Sequence, residues 1–184
     1  MYRVVAASDY GAAANIIISN QEEIRRTGCR PIYRQRLVGR LPQLRACAEV
    51  RDIPPDFVST GGFMLVSRKL RTLVEEFRVA SEYFPVEVTV NEESHHCSGD
   101  IFFANVFDEV DCLHPNIAHF SLFKGNEIND ELPPLELDET KAVGHHLFFL
   151  ARASGPIFIA SPDFQNAVAD RRISGIEFIA PEHY

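Results

Sequence analysis

Two clusters of adjacent residues in this sequence could bind a metal ion, His95-His96-Cys97 and His145-His146. Imidazole and thiolate groups are good zinc ligands, so the two clusters together could form a site. Adjacent residues of a strand point to opposite faces, however, which turns one histidine of each pair away. Spaced patterns such as CxxC or HxxxH do not occur. The sequence therefore predicts no metal or other cofactor, and a metal-dependent enzyme that uses these histidines is the alternative.

Patterns for nucleophilic catalysis and anion binding are weaker. Cys97 or Cys112 could act as a nucleophile with one of the seven histidines, but no local signature supports such a pair. Ser59–Gly62 is a polar loop with two glycines, yet it lacks the lysine and the spacing of a P-loop. We therefore expect a binding protein rather than an enzyme.

Charge is distributed unevenly along the chain. Residues 1–79 hold 13 basic and 8 acidic side chains, whereas residues 80–184 hold 5 basic and 18 acidic ones. Such polarity indicates either a charged partner or two segments that meet in the folded protein. An acidic run at residues 127–139 contains no base, and we predict that its side chains bind a basic protein partner. These candidate residues are Glu127, Asp130, Glu131, Glu136, Asp138 and Glu139.

The basic residues concentrate in the N-terminal half, where eight of the fifteen arginines lie between Arg25 and Arg51. An arginine-rich stretch of this kind could contact nucleic acid, but nucleic-acid-binding domains are usually basic as a whole. This chain has a net charge of −8 and no tryptophan. The composition therefore predicts no nucleic-acid partner.

The overall composition is typical of a folded domain. Apolar residues make up 46% of the chain and charged residues 24%, both within the ordinary range. We find no apolar run long enough to cross a bilayer and no signal peptide at the N-terminus. Four scattered cysteines, Cys29, Cys47, Cys97 and Cys112, form no disulfide-like pattern. The sequence therefore predicts a cytoplasmic protein without membrane contact.

One motif occurs twice, at residues 63–86 and 157–181. Each copy has an apolar run that ends in a serine, then a stretch with helical periodicity, then a second apolar run. Phe84 follows Ser67 by 17 positions, and Phe178 follows Ser161 by the same distance. The apolar positions between them also correspond; the pairs are Leu70 with Phe164, Leu73 with Ala167, Val74 with Val168, and Val79 with Ile173.

Local signals divide the chain into elements. Ser67 and Ser161 each suit a helix N-cap, and Pro162 fits the first helical position, where its missing N–H costs nothing. The predicted helices are Gln21–Arg26, Arg68–Phe77 and a second repeat helix after Ser161. The predicted strands are Arg3–Ala7, Ile16–Ser19, Ile32–Val38, Tyr83–Val90, Ile101–Val110, Ile117–Phe123, His146–Leu150, Ile157–Ala160 and Ile176–Ile179. The predicted loops are Arg51–Gly62, Asn91–Gly99 and Gly125–Glu139.

Strands mixed with a few helices predict an α+β protein. We expect one domain over residues 1–184, with a mixed or mostly antiparallel sheet. Two pseudo-equivalent units, each a capped helix followed by a strand, would lie within it. The period of 94 residues from Ser67 to Ser161 is too long for a solenoid.

These units, in this order, resemble a family of bacterial immunity proteins from polymorphic toxin systems. The matching segments are 63–88, which includes Phe84-Pro85-Val86, and 144–181, which begins Gly144-His145-His146 and ends near Pro181. Ile101–Asp111 is similar to the family's central strand, whereas residues 1–62 form a variable N-terminal part. The resemblance implies a small cytoplasmic α+β protein that binds and neutralises a cognate toxin, with no catalytic residues to carry over.

Three readings of function follow from these observations. The first is a non-enzymatic immunity protein that covers the active cleft of a toxin. The second is the metal-dependent enzyme described above. The third is a structural or assembly module, and a homodimer is one form that such a module could take.

Overall fold

A computed structural model describes residues 1–8, 16–27, 36–37, 41–48, 55–60, 63–90, 100–117, 120–121, 123–124, 127–128, 134–154 and 157–184. The helices of this part are α1 (Gln21–Arg26), α2 (Arg68–Glu76) and α3 (Pro162–Asp170). Its strands are β1 (Arg3–Ala7), β2 (Ile16–Ile18), β3 (Leu44–Ala48), β4 (Phe57–Thr60), β5 (Phe63–Ser67), β6 (Ser81–Val90), β7 (Ile101–Val106), β8 (Glu109–Val110), β9 (Phe120–Ser121), β10 (Phe123–Lys124), β11 (Glu127–Ile128), β12 (Leu147–Leu150), β13 (Ala153–Ser154), β14 (Phe158–Ala160) and β15 (Ile176–Ile179). The predicted α+β class with mixed sheets is confirmed.

The larger sheet has six strands in the order β2-β3-β6-β7-β5-β4. Strand β6 joins its two halves, since residues 81–85 pair antiparallel with β7 and residues 86–90 pair parallel with β3. Pro85, which has no N–H to donate, lies where β6 changes partner. One face of the sheet buries Phe63, Leu65 and Phe103, among others, and Ile24 of α1 covers it.

The smaller sheet has five strands in the order β15-β1-β14-β12-β8. Its pairs are antiparallel except for β12 with β8, which is parallel. On one of its faces, Phe148, Leu150 and Ile159 form a core with Leu113 and Leu135, which lie outside the sheet. The predicted strand Ile101–Val110 is therefore wrong in extent, because β7 and β8 belong to different sheets.

The second faces of both sheets meet the two long helices in one shared core. Leu73 of α2, Phe164 of α3, Phe102 of β7 and Phe149 of β12 are all members of it. The rings of Phe77 and Phe164 lie 5.4 Å apart, so the end of α2 is close to the start of α3. At the other end Lys69 Nζ donates to the carbonyl of Arg172 at 2.9 Å. The two helices are therefore antiparallel neighbours.

The structural repeat includes more strands than the sequence motif, because each copy has four strands in the same order. In the first copy four strands lie in the order β4-β5-β7-β6, and in the second β12-β14-β1-β15 occupy the same places. Val66 pairs with Phe57 and Phe102, just as Ala160 pairs with Leu147 and Arg3. The N-terminal strand β1 thus supplies, from the other end of the chain, the strand that β7 supplies in the first copy.

Both repeat helices begin and end in the same way. The Ser67 hydroxyl accepts from the N–H of Leu70 and that of Ser161 from the N–H of Phe164, each at 3.2 Å, as predicted for N-caps. Past the helix ends, Arg78 and Arg172 adopt left-handed backbone angles with φ of 54° and 52°. Paired reverse hydrogen bonds close each end in a Schellman motif.

The two phenylalanines of the repeat are not equivalent. Phe178 pairs with Val5 and packs in the shared core, as Tyr83 does, whereas Phe84 packs on the opposite face of its sheet. The equal spacing of 17 positions therefore hides a shift of one residue between helix and strand. Such a shift reverses the face of every side chain in a strand.

Several local predictions need correction. The predicted loop Arg51–Gly62 contains β4, because Phe57 and Val58 are buried on opposite faces of the sheet. Strand β3, at the end of the arginine-rich stretch, covers residues for which no strand was predicted, although its buried and more exposed residues alternate. In the described residues of the predicted strand Ile117–Phe123, the structure has the short strand β9 and the start of β10. Asn91–Gly99 and most of Ile32–Val38 lie outside the described residues.

Candidate protein-binding surface

The structure describes only part of the acidic run predicted to bind a partner. Glu127 lies in β11, which pairs antiparallel with β10, and Lys124 is its partner in the register. The side chain of Glu127, like Asp130 and Glu131, lies outside what the structure describes. The side chains of Glu136, Asp138 and Glu139 are described, and all three lie beside the smaller sheet.

Residues 134–139 are not the wholly exposed loop that their composition predicts. Leu135 is 1% exposed and belongs to the core of the smaller sheet. Leu137 packs against the same core and forms a β-bridge with Leu113. The alternation of buried leucines with acids on the outside is the pattern of a half-buried strand, which the surrounding acids and prolines obscured.

Glu136 is an acidic residue of this segment whose side chain points to solvent. Its side chain is 58% exposed, and the nearest basic group is His114, whose Nδ1 lies 3.8 Å from the carboxylate. The backbone N–H of His114 also donates to the Glu136 carbonyl at 2.9 Å. Glu136 is therefore held in position by its backbone while its carboxylate stays available to a partner.

Asp138 and Glu139 have internal roles. Asp138 accepts hydrogen bonds from the N–H and the hydroxyl of Thr140, at 3.3 and 2.6 Å, at the start of a 3-10 helix, Glu139–Ala142. The hydrogen bond from the Thr140 hydroxyl is the main cause that lowers the pKa of the Asp138 carboxyl. Glu139 Oε1 accepts from the backbone N–H of Tyr2 at 2.9 Å. These two acids therefore hold the 3-10 helix and the N-terminus in place, in addition to placing negative charge on this surface.

Tyr2 connects the N-terminus to this segment. Its hydroxyl donates to the carbonyl of Ala142 at 2.5 Å, and the residue is 9% exposed. Burial raises the pKa of the Tyr2 phenol, and the negative charges of Glu139 and Asp163 raise it further. The hydroxyl therefore stays protonated and keeps its hydrogen bond, and Asp163 at the start of α3 belongs to the same acidic surroundings.

The 3-10 helix leads into a tight turn. Val143 has φ −58° and ψ 127°, Gly144 has φ +86°, and the N–H of His145 donates to the Ala142 carbonyl at 3.0 Å. These are the features of a type II turn, which favours glycine at its third position. Val143 lies at the second position and is 75% exposed. An apolar side chain thus projects from a well-braced turn, and sequence reasoning did not single it out.

The histidine pair beside this turn is divided between two partners. His145 Nδ1 lies 2.9 Å from Asp108 Oδ2, whereas His146 Nδ1 lies 3.0 Å from the buried hydroxyl of Ser161. The His146 ring also packs against Phe77, with ring centres 4.7 Å apart. Within the described part of the chain no three His, Cys, Asp or Glu side chains form a group that could hold a metal. The first cluster, His95-His96-Cys97, falls outside that part.

The other described candidates for a nucleophile or an anion site, Cys112, Ser59 and Thr60, lie in the core or in a strand. Cys112 is fully buried, and this burial raises the pKa of its thiol to about 11, so the thiolate needed for nucleophilic attack is scarce at neutral pH. Ser59 and Thr60 belong to β4 and pair with β5. They are therefore strand residues, whereas Gly61 and Gly62 of the predicted anion-binding loop lie outside the described residues.

Among the described helices, none has the length and apolar character that a bilayer span requires. A model of the Immunity protein family (Imm11) matches residues 7–182. The match confirms the family resemblance and extends it to the N-terminal part, which the repeat motifs alone did not reach. No curated protein matches the chain.

Proposed function

The chain belongs to the Immunity protein family (Imm11), and on this premise we propose that it neutralises one cognate toxin by covering the toxin's active cleft. The family match over residues 7–182 is the observation that carries the proposal. Inhibition of this kind needs no reaction on the immunity protein. A surface of roughly 800 Å² on each partner is enough to exclude substrate from a cleft.

A non-catalytic role is consistent with how the reactive side chains are used. His146 is hydrogen-bonded to the helix-capping Ser161 and packed on Phe77. Cys112 lies within the core of the smaller sheet. These groups stabilise the fold, which supports a role in binding over the alternative of a metal-dependent enzyme.

Electrostatic attraction would bring the two proteins together. We propose that the toxin's cleft is basic and that Glu127, Asp130, Glu131 and Glu136 contact it. Complementary charges accelerate association and make it sensitive to salt. Asp138 and Glu139 belong to the same surface, but they contribute mainly by holding the turn that follows them. The partner is a protein in the cytoplasm, with no part for nucleic acid or membrane.

Purification of the tagged chain from its source bacterium tests this proposal. Mass spectrometry is expected to find a single stoichiometric partner in the eluate, absent from a control purification with the tag alone. That partner should be lethal when expressed alone and tolerated when the chain is co-expressed. A chain that purifies without such a partner, or that gives no protection, would contradict the proposal.

A further inference from the structure

Three large hydrophobic side chains are exposed among the described residues, and two of them lie at the same end of the molecule. Met1 is 64% exposed, Ile17 53% and Val143 75%. Met1 precedes Tyr2, whose N–H and hydroxyl both bind the segment just before Val143. Ile17 lies on β2, the edge strand of the other sheet. Of the exposed large hydrophobic side chains in the described part of the chain, two, Met1 and Val143, therefore lie near this turn.

Hydrogen bonds to residues that are distant in the chain hold the turn in place. Tyr2 and His145 both donate to the carbonyl of Ala142, at 2.5 and 3.0 Å. Asp138 begins the 3-10 helix that precedes the turn, and its own N–H donates to the Cys112 carbonyl at 2.7 Å. A side chain held in this way loses little conformational freedom when it docks. Val143 is thus presented as a preorganised apolar contact.

Acidic groups lie beside the residues that flank this apolar tip. Glu139 lies four residues before it and is exposed, and its Oε1 accepts from the backbone N–H of Tyr2 at 2.9 Å. Asp108 is paired with His145, two residues after Val143, at 2.9 Å. The one lysine of the turn, Lys141, lies 3.6 Å from Asp138 and is partly neutralised by it. An apolar centre with an acidic rim is complementary to an apolar pocket surrounded by lysines or arginines.

We propose that residues 139–145, named here the Val143 turn, form the docking surface for the toxin, with the Val143 side chain entering an apolar pocket that basic residues surround. This inference rests on the proposed function and adds to it a central contact point. Binding energy at interfaces is concentrated in a few well-packed central residues inside a polar rim. Val143 would contribute the apolar surface that it exposes in the free protein, and the nearby acids would orient the partner.

A matched pair of substitutions tests the inference. Val143→Lys and Ile17→Lys each add one positive charge at an exposed apolar position, so any general effect of charge is the same in both. Lysine is well tolerated on an edge strand such as β2. Thermal unfolding of both variants establishes that they fold like the wild type. Their affinity is then measured for the lethal partner that co-purifies with the wild-type chain, by titration calorimetry and by protection in co-expression.

The two variants are expected to differ. Val143→Lys should weaken binding by about tenfold or more and reduce protection, while Ile17→Lys should stay within about twofold of the wild type. Equal affinity of Val143→Lys and the wild type would overturn the assignment of the surface and leave the proposed function intact. A wild-type chain that neither captures nor neutralises a lethal partner would overturn both.

Discussion

The carboxylate of Asp56 accepts a hydrogen bond from the hydroxyl of Ser67 at 2.6 Å, and the Asp56 carbonyl accepts from the Ser67 N–H at 2.9 Å. In the second copy His146 makes the same two contacts with Ser161, at 3.0 and 2.9 Å. Each helix cap is thus held by the residue immediately before the first strand of its repeat, β4 or β12.

We predict that Asp56→Asn lowers the free energy of unfolding at pH 7 by about 1–3 kcal/mol. Asp56 also accepts from the N–H and hydroxyl of Ser174, at 2.9 and 3.1 Å. In Asp56→Asn an NH2 group replaces one carboxylate oxygen. That group cannot accept these hydrogen bonds and would face a donor of Ser67 or Ser174. Urea unfolding measures the difference. Asp100→Asn is the matched control, because its carboxylate is 77% exposed and pairs only at the surface with Arg68; it should change stability by less than about 0.5 kcal/mol.

The effect of Asp56→Asn should depend on pH. Burial alone would raise the pKa of the Asp56 carboxyl, but hydrogen bonds from Ser67 and Ser174 outweigh it and lower the pKa below 3.8. A carboxyl with a lowered pKa in the folded state stabilises the protein above its unfolded pKa and loses that contribution as pH falls through the folded value. The difference between wild type and variant should therefore shrink below about pH 4. A constant difference down to pH 2 would contradict this account.

We predict that Gly175→Ala is more damaging than Gly144→Ala. Both glycines have left-handed backbone angles, with φ of +83° and +86°, so either substitution should cost about 1 kcal/mol in strain. A Cβ at Gly175 would also lie 2.3 Å from the carbonyl oxygen of Phe57 and 2.8 Å from Pro55 Cβ, whereas one at Gly144 would meet nothing within 4 Å. Gly175→Ala should therefore cost at least about 1 kcal/mol more, as measured by urea unfolding. Equal costs would contradict this prediction, because they would mean that the backbone near Phe57 and Pro55 moves away from the new Cβ without a loss of stability.

Glycine at the ends of the two repeat helices should stabilise the protein. Arg78 and Arg172 occupy left-handed positions that cost a residue with a side chain about 1 kcal/mol. Arg78→Gly and Arg172→Gly should each raise the free energy of unfolding by about 0.5 kcal/mol or more, and the double variant should show the sum. Arg78→Ala and Arg172→Ala are the controls, since alanine removes the charge and keeps the strain. A similar gain from alanine would attribute the effect to charge instead.

Removal of four acids from the predicted contact segment should weaken binding to the toxin. Glu127→Gln, Asp130→Asn, Glu131→Gln and Glu136→Gln together should lower affinity and flatten its dependence on salt, because fewer charges are left to attract a basic cleft. The control is an equal loss of charge from other surfaces; it combines Glu22→Gln, Glu87→Gln, Glu177→Gln and Glu182→Gln. Calorimetry at several salt concentrations compares the two. Unchanged affinity in the first variant would rule out the acidic contact.

Predictions from sequence succeeded where the cause is local. The caps at Ser67 and Ser161 and the apolar face of α2 depend on neighbours within one or two turns, and the structure has them as predicted. Strands β3 and β4 were missed because they are short, with five and four residues, and because arginines, prolines or glycines flank them. Their stability comes from pairing with β6 and β5, and β6 lies about 40 positions along the chain from β3.

The sequence by itself determined the two capped helices, the apolar runs around them, the family of the chain and its acidic C-terminal part. Only the tertiary structure decided that β1 completes the second repeat, that Phe84 and Phe178 face different cores, and that Asp138 and Glu139 hold a turn. Helix periodicity and capping act over a few residues, so they can be read in order along the chain. Strand pairing, side-chain partners and exposure depend on residues that are distant in sequence. Val143 is one valine among many in the sequence, and only the structure shows that its side chain is exposed in a turn that Tyr2, about 140 positions away, helps to hold.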